Sequence, residues 1–318
     1  MTAPRDRTVL RLGVALVALL ALAPLLPDWA VFLGTISLAK GLVALGLVLL
    51  MRAGLVSFGQ GLYFALGAYA AGMLPRLAGV HDALGMVVAG TIAAAVVGLV
   101  LGILLARYRA IFFAMLSLAF SMILYGLLVK SPALGSTDGF NASARTIAAI
   151  PLEGAVGRVG LFVLACLTAF AGAATLHAYL ASHLGRLTPA VKDNELRVEY
   201  SGASVRNVVH LNVVVASALA GAGGALAALA VGHVDPDSTA YWTTSGEFVF
   251  IAIISGTGSV AAPFIGAVLL EVLRNFAYAH APNTWQLVVG GVMLVVILFL
   301  PEGLWSLFRR RRARTATT

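Results

Sequence analysis

Along 318 residues, apolar runs of about twenty residues follow one another with short polar breaks between them. This pattern constrains the chain more than any single motif. About 20 apolar residues in a helix span the ~30 Å of hydrocarbon in a bilayer. The spacing therefore predicts an all-α, polytopic membrane protein. Composition agrees. Hydrophobic residues make up 60% and charged residues 11%, against roughly 25% charged in a soluble domain.

The net charge is +8. Its placement argues against a nucleic-acid partner. Basic residues sit at the N-terminus (Arg5, Arg7, Arg11), in short connectors (Arg52, Arg107, Arg109) and in a tail, 306–318, that holds Arg309, Arg310, Arg311, Arg312 and Arg314. Arginine concentrated in short loops marks the cytoplasmic side, so both termini are expected there, with the tail beside the lipid bilayer. The single cysteine, Cys166, excludes a disulfide framework and a thiolate metal site. Ala21-Leu22-Ala23 looks like a signal cleavage site, but Pro24 follows it directly. The segment reads as a retained first helix.

Spans are predicted near 9–26, 32–51, 55–74, 84–106, 110–129, 159–180, 208–231 and 285–300. Asp28 and Trp29 form a short outer turn in this reading, and 130–158 forms a long outer segment. The stretch 246–255 is too short to cross alone. Gly256-Thr257-Gly258-Ser259 breaks it, and 262–276 follows. A short broken hairpin there brings the total to about ten transmembrane helices with both termini inside. One broken span would make nine and send the arginine tail outside, against the charge rule.

The chain holds 34 glycines. Gly98 with Gly102, Gly67 with Ala71 and Ala218 with Ala222 recur at helical spacing, which lets helix backbones approach in lipid. Glycine-rich interruptions at 54–61 and 256–259 fall in the two halves, as in transporters built from repeats. Lys40 lies near the middle of the second predicted span. A charge there is costly and is expected to face protein or water. Glu247 and Glu271 are candidate partners, and Glu271 with Arg274 could pair locally on one helix face.

The segment 182–207 is a polar island in this apolar chain. It carries Arg186, Lys192, Asp193, Glu195, Arg197, Glu199 and Arg206. Thr188-Pro189 reads as a helix start, running to about Tyr200, and Gly202 as its end. Such a connector suits a surface offered to a soluble partner. No phosphate-cradling loop precedes any of the three lysines, and there is no HExxH, no G-x-S-x-G and no cysteine pair. Nothing here points to an enzyme.

Four blocks together resemble the permease subunits of branched-chain amino-acid-type ABC importers, of the M-type. The first is Ala44-Leu45-Gly46-Leu47 with Gly54-Leu55-Val56-Ser57-Phe58-Gly59-Gln60-Gly61-Leu62-Tyr63-Phe64 and Gly67-Ala68-Tyr69. The second runs from Ile111 to Phe120. The third is Gly185-Arg186, Lys192-Asp193-Asn194-Glu195 and Ser201-Gly202, followed by Ser217 to Leu226. The fourth is Gly256-Thr257-Gly258-Ser259 with Pro263 and Gly266-Ala267. The chain departs from the family at Val48 (often Asn), at Gln60 (often His) and at Pro301-Glu302-Gly303-Leu304 (commonly Pro-Arg-Gly-Leu).

The resemblance implies the ABC importer permease fold as one transmembrane domain over 1–318. It implies a non-catalytic, cofactor-free subunit for amino-acid transport, branched-chain type or related small polar solutes, in the bacterial inner membrane. Its partners would be a homologous second permease, two ATP-binding subunits and a periplasmic or extracellular solute-binding protein. Gly185, Arg186, Lys192, Asn194, Glu195, Ser201 and Gly202 would couple to the ATPase. Ser57, Phe58, Gln60, Tyr63 and Lys40 are candidates for the translocation pathway. Thr137, Asp138 and Gly139 are candidates for docking the binding protein. The alternative is an ion-coupled carrier or channel working without an ATPase, with Lys40, Glu247 and Glu271 as coupling charges.

Overall fold

The computed structural model describes residues 8–300 and 303–305, apart from 145, 148, 149, 152 and 153. Arg5, Arg7, Pro301, Glu302 and the tail 306–318 lie outside the described residues. The protein is a bundle of helices: α1 Thr8–Leu22, α2 Asp28–Arg52, α3 Gln60–Ala78, α4 Ala83–Leu105, α5 Ala110–Val129 and α6 Gly154–Ala181. Next come α7 His183–Asp193, α8 Glu195–Tyr200, α9 Val205–Val231, α10 Pro236–Thr239, α11 Trp242–Ser255, α12 Ala262–His280 and α13 Trp285–Phe299. Among the described residues, four two-residue strands make two small ribbons. β1 (Phe140–Asn141) pairs antiparallel with β4 (His233–Val234), and β2 (Thr146–Ile147) with β3 (Ile150–Pro151).

The helix α9 is the axis. It packs most extensively on α4, α2 and α3, and its second half is rich in alanine and glycine. Small side chains allow this. A Cβ built on Gly224 would fall 1.9 Å from the Phe64 carbonyl oxygen, and one on Gly67 2.1 Å from that of Gly221. The paired glycines therefore act as expected, and Gly98 likewise faces Ser217 of α9. In α2, every residue from Gly41 to Leu50 is buried.

The outside of the bundle is apolar. On α4, Val88, Ile92, Val96, Leu99 and Ile103 are exposed at three- to four-residue spacing, a continuous stripe down one face. Soluble surfaces do not carry such a stripe. Among the described residues, seven helices are long and apolar enough to cross a membrane, rather than ten. The difference lies in α3, α11 and α13. α3 is sheathed by α4, α5 and α9 and carries Gln60, two tyrosines, Pro75 and Arg76. α11 has 14 residues and α13 has 15, about 21–23 Å of helix, short of a full crossing.

Several boundaries differ from expectation. α3 starts at Gln60, not at Leu55, because Gly54 takes a left-handed turn (φ +77°) and the chain runs irregularly to Gly59. Asp28 and Trp29 are the first turn of α2 rather than a loop. Asp28 instead meets Arg158 of α6 at 2.8 Å. α6 itself starts at Gly154, which shortens the connector after α5.

Candidate functional site

The polar island folds as two short helices, not one. Ser182 caps α7, its Oγ accepting from the Gly185 N–H at 3.2 Å. Thr188 therefore does not cap. It sits inside α7, buried, with its hydroxyl on Asn212 of α9, which also accepts from the Tyr179 hydroxyl at 2.7 Å. Asn194 breaks the helix at extended backbone, and its Oδ1 caps α8 through the Arg197 N–H at 3.0 Å. Gly202 ends α8 with φ +84°, as its position predicts.

The island residues then divide by task. Gly185 is required by the tight α6–α7 turn, since a Cβ there would lie 2.0 Å from the Tyr179 carbonyl oxygen. Asn194, Ser201 and Gly202 shape the ends of α8; the Ser201 hydroxyl donates to the Val198 carbonyl at 2.6 Å. Arg186 is exposed. Lys192 lays its stem against Gly54, so α7 touches the irregular segment after α2. Glu195 pairs with Arg109 Nε at 2.6 Å. Arg109 in turn donates to the Ala106 and Tyr108 carbonyls, which locks it to the α4–α5 turn. Of the island's charges only Glu195 is partly buried; Arg186, Lys192, Asp193, Arg197, Glu199 and Arg206 are exposed. Beside them α8 presents two large hydrophobic side chains, Leu196, 64% exposed, and Tyr200, 89% exposed, one turn apart. Sequence reading missed both. The signal was there, as apolar residues four apart among charges.

A second locus lies inside the bundle. Ser57, Gln60 and Tyr63 are buried and Phe58 partly so. The chain between Gly54 and Gly59 is irregular, and hydroxyls accept from N–H groups at its end and at the start of α3. Ser117 Oγ accepts from Phe58 N–H at 3.1 Å, Ser57 Oγ from Gly59 N–H at 3.2 Å and Ser245 Oγ from Gly61 N–H at 2.9 Å. Ser121 donates to the Ala240 carbonyl at 3.2 Å. Irregular backbone within a membrane bundle is tolerated where it is enclosed by protein or lines a cavity. Sequence reading found the α3 side of this locus. It did not find Ser117, Ser121 and Ser245, because no spacing links α5 and α11 to α3.

Lys40 is brought to both of its candidate partners. Its Nζ lies 2.6 Å from Glu247 and 2.5 Å from Glu271. Arg274 also binds Glu247, at 3.1 Å, rather than pairing with Glu271 along its own helix. Its guanidinium stacks over the Trp285 ring, 5.5 Å from the centroid. Two cations and two anions thus join α2, α11 and α12.

At the end of the bundle opposite the island, Thr137 and Asp138 are exposed. Gly139 (φ +67°) is there for closeness, as a Cβ would fall 2.1 Å from the Val234 carbonyl oxygen beside the β1–β4 ribbon. Phe140 packs edge-on against Tyr69 at 5.5 Å, under the Arg76 guanidinium.

A family model described as "Branched-chain amino acid transport system / permease component" matches residues 30–298, which takes in both loci and the charge network. The chain is 27% identical to the high-affinity branched-chain amino acid transport system permease protein LivM of Escherichia coli (strain K12), across 96% of this chain and 77% of that protein. It is 26% identical, with the same coverage, to LivM of Salmonella typhimurium (strain LT2). No solved structure matches. Matched over most of its length, helical, and apolar on its outer face, the chain belongs to the permease components of the branched-chain amino acid transport systems.

Proposed function

We propose that the chain is the membrane-spanning subunit of an ATP-driven importer of branched-chain amino acids or related small polar solutes. Residues 1–318 form one permease domain in the bacterial inner membrane, with both termini and the island cytoplasmic. It works with a homologous second permease, two ATP-binding subunits and a solute-binding protein. The last of these docks at Thr137, Asp138 and Gly139. The pathway runs past Ser57, Phe58, Gln60 and Tyr63, with Lys40 bordering it through the α11 network.

One observation carries the ATPase part of this reading. A transport permease presents, on a polar two-helix element at one end, an exposed leucine and an exposed tyrosine one turn apart. A short helix seats such a pair in the groove of a soluble partner, and tyrosine is a common anchor in such interfaces. Arg186 and Lys192, both exposed on α7, add positive charge to the same two-helix element. Glu195, tied to Arg109, passes motion of α8 to the foot of α5. A pull-down of the tagged chain in mild detergent, co-expressed with its gene neighbours, tests this. Two Walker-type ATPases and a second permease are expected. A stable complex without an ATPase would overturn it in favour of an ion-coupled carrier.

Tyr200→Ala combined with Leu196→Ala is expected to lower ATPase recovery about tenfold or more, since truncating an anchor costs ~2 kcal/mol or more. Glu195→Ala has a different expected outcome. A partly exposed ion pair is worth about 0–1 kcal/mol, so the variant inserts and assembles normally. Uptake should fall while ATP hydrolysis by the complex continues. Unchanged uptake removes Glu195 from the coupling path.

A further inference from the structure

α11 has two sides. On one, Ser245 and Phe248 are buried against α3. Ser245 Oγ accepts from the Gly61 N–H at 2.9 Å, and the Phe248 ring lies 5.1 Å from that of Phe64. On the other, Thr243, Gly246, Glu247 and Phe250 follow at three- and four-residue spacing, which puts them along one stripe. None of the four is buried. Among the described residues, nothing lies within 4 Å of a Cβ built on Gly246, and Phe250 is exposed. The stripe thus holds a glycine gap beside a carboxylate.

That carboxylate belongs to the charge network. Glu247 is 20% exposed, and its partner Arg274, from α12, is 33% exposed. Both lie deep. Glu247 stands about 12 Å of helix from the Ser255 end of α11, and it is bonded to Lys40 at the centre of α2. Hydrocarbon is a costly cover for an ion pair at that depth. Water matches the stripe no better, since Trp242 and Phe250 are the exposed large side chains of α11. Arg274 is held in place by two rings, its guanidinium 5.5 Å from the Trp285 centroid and 5.9 Å from that of Tyr278. Arginine, tryptophan and tyrosine are the commonest anchors of protein interfaces. In lipid, a glycine is where a second helix can come close.

We propose that the open stripe of α11, with the Glu247–Arg274 pair beside it, receives an apolar transmembrane helix of a second permease chain. This rests on the importer reading above and gives its second permease a face. The partner helix packs across Gly246 and against Phe250, supplies a side-chain acceptor to Arg274 and shields the ion pair from lipid. α11 then stands between the partner on one side and the α3 locus on the other. A shift of the partner reaches Gly61 through that single helix.

The assembled complex tests this with a Cys166→Ala/Phe250→Cys chain modified by benzophenone maleimide. Irradiation is expected to join it to a second permease chain, identified by mass. Val96→Cys, on the exposed stripe of α4, should give no such adduct. Gly246→Leu is the second variant. Expressed alone, it should keep the melting midpoint of the unmodified chain, because the new side chain meets open space and leucine favours a helix over glycine. Recovery of the second permease with it should fall about tenfold or more. Four results would each overturn the interface: no second-permease adduct at Phe250→Cys, equal adducts from Val96→Cys, fast reaction of Phe250→Cys with a charged water-soluble thiol reagent in the complex, or full recovery with Gly246→Leu. A lowered midpoint of Gly246→Leu alone, showing a face already covered, would overturn it too. The importer reading fails separately. A second-permease adduct in a complex without an ATPase sinks that reading and leaves the interface standing, whereas a complete complex without the adduct does the reverse.

Discussion

Lys40→Met is expected to cost the folded permease about 3–5 kcal/mol, the usual penalty for removing one partner of a buried ion pair. Lys40 stands at the centre of α2, with Glu247 and Glu271 both on its Nζ and all three side chains largely enclosed. Without it, two carboxylates share a membrane-embedded space with Arg274 alone. The melting midpoint of the purified protein should drop and its yield with it. The double variant Lys40→Met/Glu271→Gln restores charge balance and leaves Glu247 with Arg274. Most of the lost stability should return, but uptake should stay low, because the lysine charge that borders the proposed pathway is gone. A stable double variant with full uptake would remove Lys40 from the pathway and leave it a structural partner of the two carboxylates.

Gly224→Leu should be at least as damaging, for a reason unrelated to charge. The would-be Cβ overlaps the Phe64 backbone oxygen, and no rotamer relieves a clash with backbone. α3 and α9 would have to separate along a seam that Gly67, Gly90 and Gly221 also share. Overpacking a core costs about 1–3 kcal/mol when side chains can shift. Here the helices themselves must move, so the folded fraction in membranes should collapse. Gly126→Ala is the matched control. Nothing lies within 4 Å of its Cβ position, and alanine favours a helix over glycine by roughly 0.5–1 kcal/mol. That variant should be neutral or slightly more stable. A Gly224→Leu protein with a normal melting midpoint would remove the close-packed seam as the organising feature of the bundle.

The parts of the fold that could be read in advance share a physical origin. α4, α5 and α9 are long apolar stretches with polar ends, and their predicted limits fall within three residues of the observed ones. α3 was misplaced at its start because Leu55 and Val56 are apolar and invite extension of the helix. What excludes them is the left-handed turn at Gly54, held where Lys192 of α7 packs on it. The split of the island at Asn194 was hidden for a similar reason. Thr188-Pro189 has the local form of a helix start, yet Thr188 is drawn inward to Asn212, and Ser182 supplies the cap.

The same division runs through the candidate sites. Lys40 demanded partners from its position alone, since a charge at the centre of an apolar span must be answered. That the answer is Glu247 and Glu271 together, and that Arg274 joins across helices, needed α11 and α12 to be laid against α2. Gln60 drew notice through the glycines on either side of it. Its enclosure without hydrogen-bond partners among the described residues, next to a Gly61 N–H held by Ser245, followed only from the meeting of α3, α5 and α11. Hydropathy and turn chemistry are properties of neighbours along a chain, and they suffice for the class, the long apolar helices and the exposed island. Hydrogen bonds and close contacts between helices far apart in sequence depend on side chains within a few ångströms, and only the packed bundle decides which ones meet.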